Sequence, residues 1–146
     1  MNITFITNMK RYFNLLQQEQ EVVEKLVEGL CLQVYLLAED ACWDGNWIEK
    51  FQSADLVLLP WMGTGLDQPF LQRTVRFMQQ RKIRYFCLVE NSGEDKVSLG
   101  FSEEQQQLMR QYFRYDGAEN IRNCMLWMVK SFGHLTVDVP LPLALP

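Results

Sequence analysis

Trp61-Met62-Gly63-Thr64-Gly65 is where residue type and spacing come nearest to a ligand chemistry. A glycine loop that follows a strand and leads into a helix can bring backbone N–H groups against a phosphate, provided a Lys follows to meet the outer phosphates. Gly63-Thr64-Gly65 has the glycines and lacks that Lys, so it is no P-loop and serves first as a tight strand-to-helix turn. Trp61 and Met62 carry more information. Two large apolar groups at the rim of a parallel sheet are costly if exposed, and that rim is where such sheets bind ligands. Contact with another domain or with a flat aromatic ligand fits both side chains. Packing beneath the next loop fits them as well.

The other loops offer less. Thr7-Asn8-Met9-Lys10-Arg11, after the first strand, holds no glycine, and a dinucleotide needs glycines there so that the backbone can approach its pyrophosphate. Glu39 and Asp40 end the second strand where a ribose-binding acid would stand, yet without the first loop they carry no cofactor signal. The Ser/Thr-rich turn of a flavin phosphate loop is absent. A phosphoacceptor receiver needs an Asp at the end of its third strand, where Pro60-Trp61 stand instead, with Asp55 at the beginning. His134 is the only histidine, sits beside Gly133 at a helix terminus, and has no acid to orient it. Cys31, Cys42, Cys87 and Cys124 form no CxxC pair and fall on or beside apolar segments, as buried free thiols do. No catalytic, cofactor-binding or metal-ligating residue follows from these patterns. The candidate surface for a ligand or another domain is the set Asn8, Trp61, Met62, Gly63, Thr64, Gly65 and Asn91, at the carboxyl ends of the strands.

The elements that must position this rim are legible from periodicity. Asn2 to Thr7 is a β-branched strand. Met9 to Gly29 is helical, with a dip in apolarity over Gln17 to Glu21 that allows a break. Leu32 to Ala38 is a strand, Asn46 to Gln52 a short helix, and Asp55 to Leu59 a continuous aliphatic strand of the kind buried on both faces. Asp67 caps a helix with Pro69 in its first turn, and Ile83 to Val89 is the fourth strand. Asn91 to Gly100 reads as the longest loop. Ser102 with Gln105 forms a capping box for the next helix. Asp116, with Glu119 three residues later, reads as the cap of a last helix whose stripe is Ile121, Cys124, Met125, Met128 and Phe132. Leu135 to Val139 offers a further strand.

Strands alternating with helices imply an α/β fold, an open and mainly parallel sheet of four to five strands with helices on both faces. Right-handed crossovers leave few topologies, and the flavodoxin-like order 2-1-3-4 is expected, with room for a fifth strand. Residues 1–139 form one domain. In Pro140-Leu141-Pro142-Leu143-Ala144-Leu145-Pro146 the proline density favours an extended segment. Two readings stand for it, a linker towards a further C-terminal region and a tail lying against the domain.

Composition excludes several classes. The chain has 146 residues, 48% of them hydrophobic and 22% charged, too apolar for disorder. A net charge of −4 and only short basic clusters, Lys10-Arg11 and Arg81-Lys82, argue against nucleic acid as a partner. No run approaches the roughly 20 apolar residues of a membrane span. Met1 leads directly into a strand, and the cysteines suit a reducing compartment, so a cytoplasmic protein is expected.

Two segments carry a resemblance. Tyr112-Phe113-Arg114-Tyr115-Asp116-Gly117-Ala118-Glu119-Asn120-Ile121-Arg122-Asn123 is a Tyr, a Gly-containing turn, Glu-Asn, an aliphatic residue, Arg-Asn and an apolar helix. Ser53-Ala54-Asp55-Leu56-Val57-Leu58-Leu59-Pro60-Trp61-Met62-Gly63 is a strand beginning Ala-Asp that runs to a Gly-bearing loop. Together they resemble the N-terminal domain of the CobN-type cobaltochelatase large subunits, whose more distant relatives are the H subunits of magnesium chelatase. The resemblance spans roughly residues 54–133. It implies part of a ligase-type chelatase subunit that holds a tetrapyrrole while cobalt or magnesium, the substrate metal, is inserted, as in cobalamin biosynthesis. It further implies ATP and magnesium on separate AAA-type ATPase subunits, and as partners those subunits, the remaining domains of the same large subunit and a tetrapyrrole. No catalytic residue carries over, so the region alone is expected to be an accessory or docking domain without a complete active site. The alternative is a stand-alone flavodoxin-like small-ligand-binding or regulatory domain.

Overall fold

The computed structural model describes residues 1–37, 44–61, 69–88, 97–133, 136 and 138–143. Its strands are β1 (Asn2–Thr7), β2 (Cys31–Leu36), β3 (Leu56–Leu59), β4 (Arg84–Cys87) and β5 (Ser98–Leu99). Its helices are α1 (Lys10–Leu26), α2 (Gly45–Gln52), α3 (Pro69–Arg81), α4 (Glu103–Tyr115) and α5 (Ala118–Phe132). The sheet order is β2-β1-β3-β4-β5, with the first four strands parallel and β5 antiparallel to β4. This is the expected α/β fold with the expected order.

The chain crosses the sheet one way from β1 to β2 and the other way from β2 to β3 and β4. Right-handed crossovers therefore set α1 on one face and α2 with α3 on the other. α5 and α4 join α1: Arg122 of α5 bonds Glu19, and the Phe113 ring of α4 meets Tyr12 edge-on at 5.3 Å. β3, at the middle of the sheet, is buried at all of its positions, as its unbroken aliphatic run demands. β2, at the edge, keeps several side chains in water.

Local chemistry sets several ends. The Ser102 hydroxyl accepts from the Gln105 N–H and the Gln105 side chain accepts from the Ser102 N–H, which closes the capping box of α4. α3 ends in a Schellman arrangement. The Ile83 N–H reaches the Met78 carbonyl at 3.0 Å and Lys82 takes φ 55°, a position where glycine is usual.

Four expectations are corrected. α1 is unbroken, because the polar dip contains Glu19, which is 1% exposed and ion-paired with Arg122. The fifth strand is Ser98–Leu99, inside the segment read as a loop, and the described residues of the 135–139 stretch are not in a strand. Two residues pairing with Tyr85 and Phe86 leave no periodicity to read. Asp116 does not cap α5. It terminates α4 at φ 62°, its N–H bonded to the Tyr112 carbonyl, while Gly117 precedes α5 with no side-chain cap. Its carboxylate instead accepts from the neighbouring Gly117 N–H at 2.7 Å and pairs with Arg11. Finally, Cys31 opens the edge strand and is exposed, whereas Cys87 and Cys124 are buried and Cys42 lies outside the described residues. Among the described residues no helix is long and apolar enough to cross a membrane.

Candidate functional site at the carboxyl edge of the sheet

β1 and β3 are adjacent and parallel, so the residues that follow them, Asn8 and Trp61, emerge on the same carboxyl edge. Met62, Gly63, Thr64, Gly65 and Asn91 lie outside the described residues. The described part of the rim is tightly knit. The Thr7 hydroxyl, fully buried, donates to the Pro60 carbonyl at 2.5 Å and accepts from the Met9 N–H at 3.1 Å. The Leu37 N–H donates to the Thr7 carbonyl and the Leu88 N–H to the Leu59 carbonyl, both at 2.9 Å, which carries the ladder to the ends of the strands. Asn8 is exposed beside this lattice.

Trp61 is only 8% exposed. Its ring lies parallel to Phe70, with centroids 6.2 Å apart and 6° between planes. Phe70 meets Trp47 edge-on at 5.0 Å, and Trp47 stacks on Phe51 at 5.8 Å. A column of rings thus ties the rim after β3 to the first turn of α3 and to α2. Sequence placed Trp61 at the edge. It held no signal for the partner, because Phe70 comes from the next element.

The Tyr85 phenol and the Cys124 thiol hold their protons more tightly than the free groups do. Burial pushes the Tyr85 phenol up to about 12, opposed in part by the hydrogen bond that Gln79 donates to it at 3.1 Å. Burial likewise raises the Cys124 thiol, which sits 3.6 Å from the Met109 sulfur. A thiol kept protonated is a poor nucleophile, so Cys124 is packing. Among the described residues no three His, Cys, Asp or Glu side chains converge to hold a metal ion.

The Glu119 to Asn123 segment does structural chemistry that its sequence did not disclose. Asn120 donates to the Asp116 carbonyl at 2.8 Å and forms a two-point pair with the backbone of Leu143. Arg122 gives Nε and Nη2 to one oxygen of Glu19, at 2.9 and 2.8 Å. Asn123 is buried with its Nδ2 unpaired. The polar residues of this segment tie α5 to α1, to the end of α4 and to residues 140–143.

No family model and no curated protein sequence matches the chain. Its structure is similar to that of the catalytic subunit of cobaltochelatase from Mycobacterium tuberculosis, with a TM-score of 0.71 and 9% identity. The match covers 99% of this chain and 11% of that one, so the chain spans about a tenth of the length of the protein it resembles.

Proposed function

We propose that this chain is an N-terminal accessory or docking domain of a CobN-like metal chelatase large subunit. One observation carries the reading: 99% of the chain matches the fold of part of a cobaltochelatase catalytic subunit, with a TM-score of 0.71. The two segments that resemble that family, β3 with the residues after it and the α4–α5 corner, support it, since the match covers 99% of the chain. In this reading the remainder of the large subunit holds the tetrapyrrole and receives cobalt or magnesium as substrate. ATP hydrolysis resides on separate AAA-type subunits. Residues 140–146 then belong to a linker towards those other domains, held to this domain at Pro140 by Tyr112 and at Leu143 by Asn120. The rim of Asn8, Trp61, Met62, Gly63, Thr64, Gly65 and Asn91 is the surface that faces a neighbouring domain or the macrocycle.

The test is complementation. A cobaltochelatase large subunit lacking the portion that matches this chain is mixed with the purified domain and the ATPase subunits, and cobalt insertion is followed by absorbance. Restored insertion and co-elution of the domain with the truncated subunit are expected. Neither insertion nor co-elution would remove the reading and leave the stand-alone binding domain in its place.

A further inference from the structure

α3 carries three arginines and no acid between Pro69 and Arg81. Arg73, Arg76, Phe77, Gln80 and Arg81 recur at intervals of three and four, so they share one face of the helix over roughly 12 Å, at 1.5 Å rise per residue. With Ile48 of α2 they line an open trough of about 430 Å³. Its floor is apolar: Phe77 is buried and Ile48 half-buried. Its walls are guanidinium groups, all three exposed, with the Arg81 head 5.5 Å from the centre of the Phe77 ring.

None of these three arginines has a carboxylate partner among the described residues. Glu49 is the sole acid of α2, and no ion pair joins it to them. The chain as a whole has 18 acids against 14 Lys and Arg, so this uncompensated basic face runs against its net charge of −4. Elsewhere Arg11 pairs with Asp116 and Arg122 with Glu19, while Arg84 and Arg110 lie over the Phe132 and Phe86 rings. Guanidinium forks match carboxylates in two-point geometry, and aromatic floors favour an apolar side chain between such contacts.

We infer that the α2–α3 trough docks an acidic amphipathic helix of a partner protein. A trough that follows one helix for two turns fits a second helix with acids three and four residues apart and an apolar stripe between them. A compact anion would engage one or two of the arginines and leave the Ile48–Phe77 floor uncovered. The inference does not rest on the chelatase reading, because it concerns another face of the domain.

Binding of a fluorescein-labelled helical peptide, with Glu along one face and Leu on the adjoining stripe, is measured by anisotropy against the full chain. The expected result is saturable binding that weakens about tenfold or more, some 1.4 kcal/mol, when every Glu of the peptide becomes Gln. The triple variant Arg73→Glu, Arg76→Glu, Arg81→Glu is expected to lose at least as much. The variant Lys10→Glu, Lys25→Glu, Arg114→Glu changes net charge equally at exposed sites elsewhere, and is expected to bind within about twofold of the parent, since screening limits distant charges. Equal losses in the two variants would reduce the effect to overall charge and overturn the inference. So would equal binding of the Gln peptide, or displacement of the Glu peptide by inorganic phosphate or duplex DNA at matched ionic strength. Circular dichroism of each variant confirms that it is folded.

Discussion

Asn120 and Leu143 pair edge to edge: the Asn120 carboxamide accepts from the Leu143 N–H and donates to the Leu143 carbonyl, each at 2.8 Å. The second amide hydrogen of Asn120 goes to the Asp116 carbonyl. Three residues earlier in the extended segment, the Pro140 carbonyl accepts from the Tyr112 hydroxyl at 2.7 Å. Pro140 and Pro142 have no N–H, so Leu141 and Leu143 are the only main-chain donors of residues 140–143. One of those two is taken by Asn120. The attachment thus rests on a side chain that uses both donors and its acceptor.

Asn120→Asp is expected to release this segment. The carboxylate keeps the acceptor and loses both donations, and its oxygens then face the Asp116 and Leu143 carbonyls. Hydrogen exchange at the Leu143 amide should accelerate at least tenfold, about 1.4 kcal/mol of lost protection. Unchanged exchange would show that the Tyr112 contact alone holds the segment.

Glu19 and Arg122 form the second long-range polar tie, 103 residues apart in sequence. Glu19 is almost wholly buried, while the Arg122 side chain is 39% exposed. Removing Arg122 leaves a buried carboxylate without its ion-pair partner. Arg122→Leu is expected to cost about 1–3 kcal/mol, below the range for fully buried pairs because water screens the guanidinium. Adding Glu19→Leu should recover much of that loss, since the stranded charge is then gone. Urea midpoints of the two single variants and the double variant test this. Strict additivity would mean that the two groups do not interact.

The sequence disclosed those parts of the fold that local pattern decides. The aliphatic run Leu56–Leu59 announced a central strand, and Ser102 with Gln105 announced a helix start. Asp116-Gly117-Ala118-Glu119 suits either a helix end or a helix start. The choice was made by Arg11, which claims the carboxylate from the other end of the chain. Glu19 looked like an interruption of α1 because its partner lies on α5. β5 exists only through its pairing with β4. At the rim, the strand reading located Asn8 and Trp61, while the depth of Trp61 depends on Phe70. The arginine face of α3 was present in its spacing and its lack of acids. It became visible only once Ile48 of α2 was seen to complete the apolar floor beside Phe77.

Alkaline pH should test the Tyr85 environment. Burial raises its phenol from 10.0 to about 12, so the native state holds the proton more tightly than the unfolded chain does. The associated stability is fully present below about pH 10, the unfolded value, and is lost as pH rises through about 12. Tyr85→Phe removes this titration along with the Gln79 contact. The parent should therefore lose more stability than the variant between about pH 10 and 12. Parallel curves over that window would show that Tyr85 does not titrate with unfolding.

Trp61 offers the sharpest separation of packing from binding at the rim. Its ring is buried and stacked on Phe70, which itself abuts Trp47. Trp61→Ala would open a void beneath the β3 rim and take away one face of that column. The expected cost is about 3–5 kcal/mol, in the range for deleting a large buried aromatic ring. Trp61→Phe keeps a ring over Phe70 and should cost clearly less. Its folded core is then suited to the complementation assay, where it tests the rim without the burden of instability. Full cobalt insertion with Trp61→Phe would make the indole a packing element of the column. A loss of insertion at unchanged thermal midpoint would instead assign the indole to contact with a neighbouring domain or with the macrocycle.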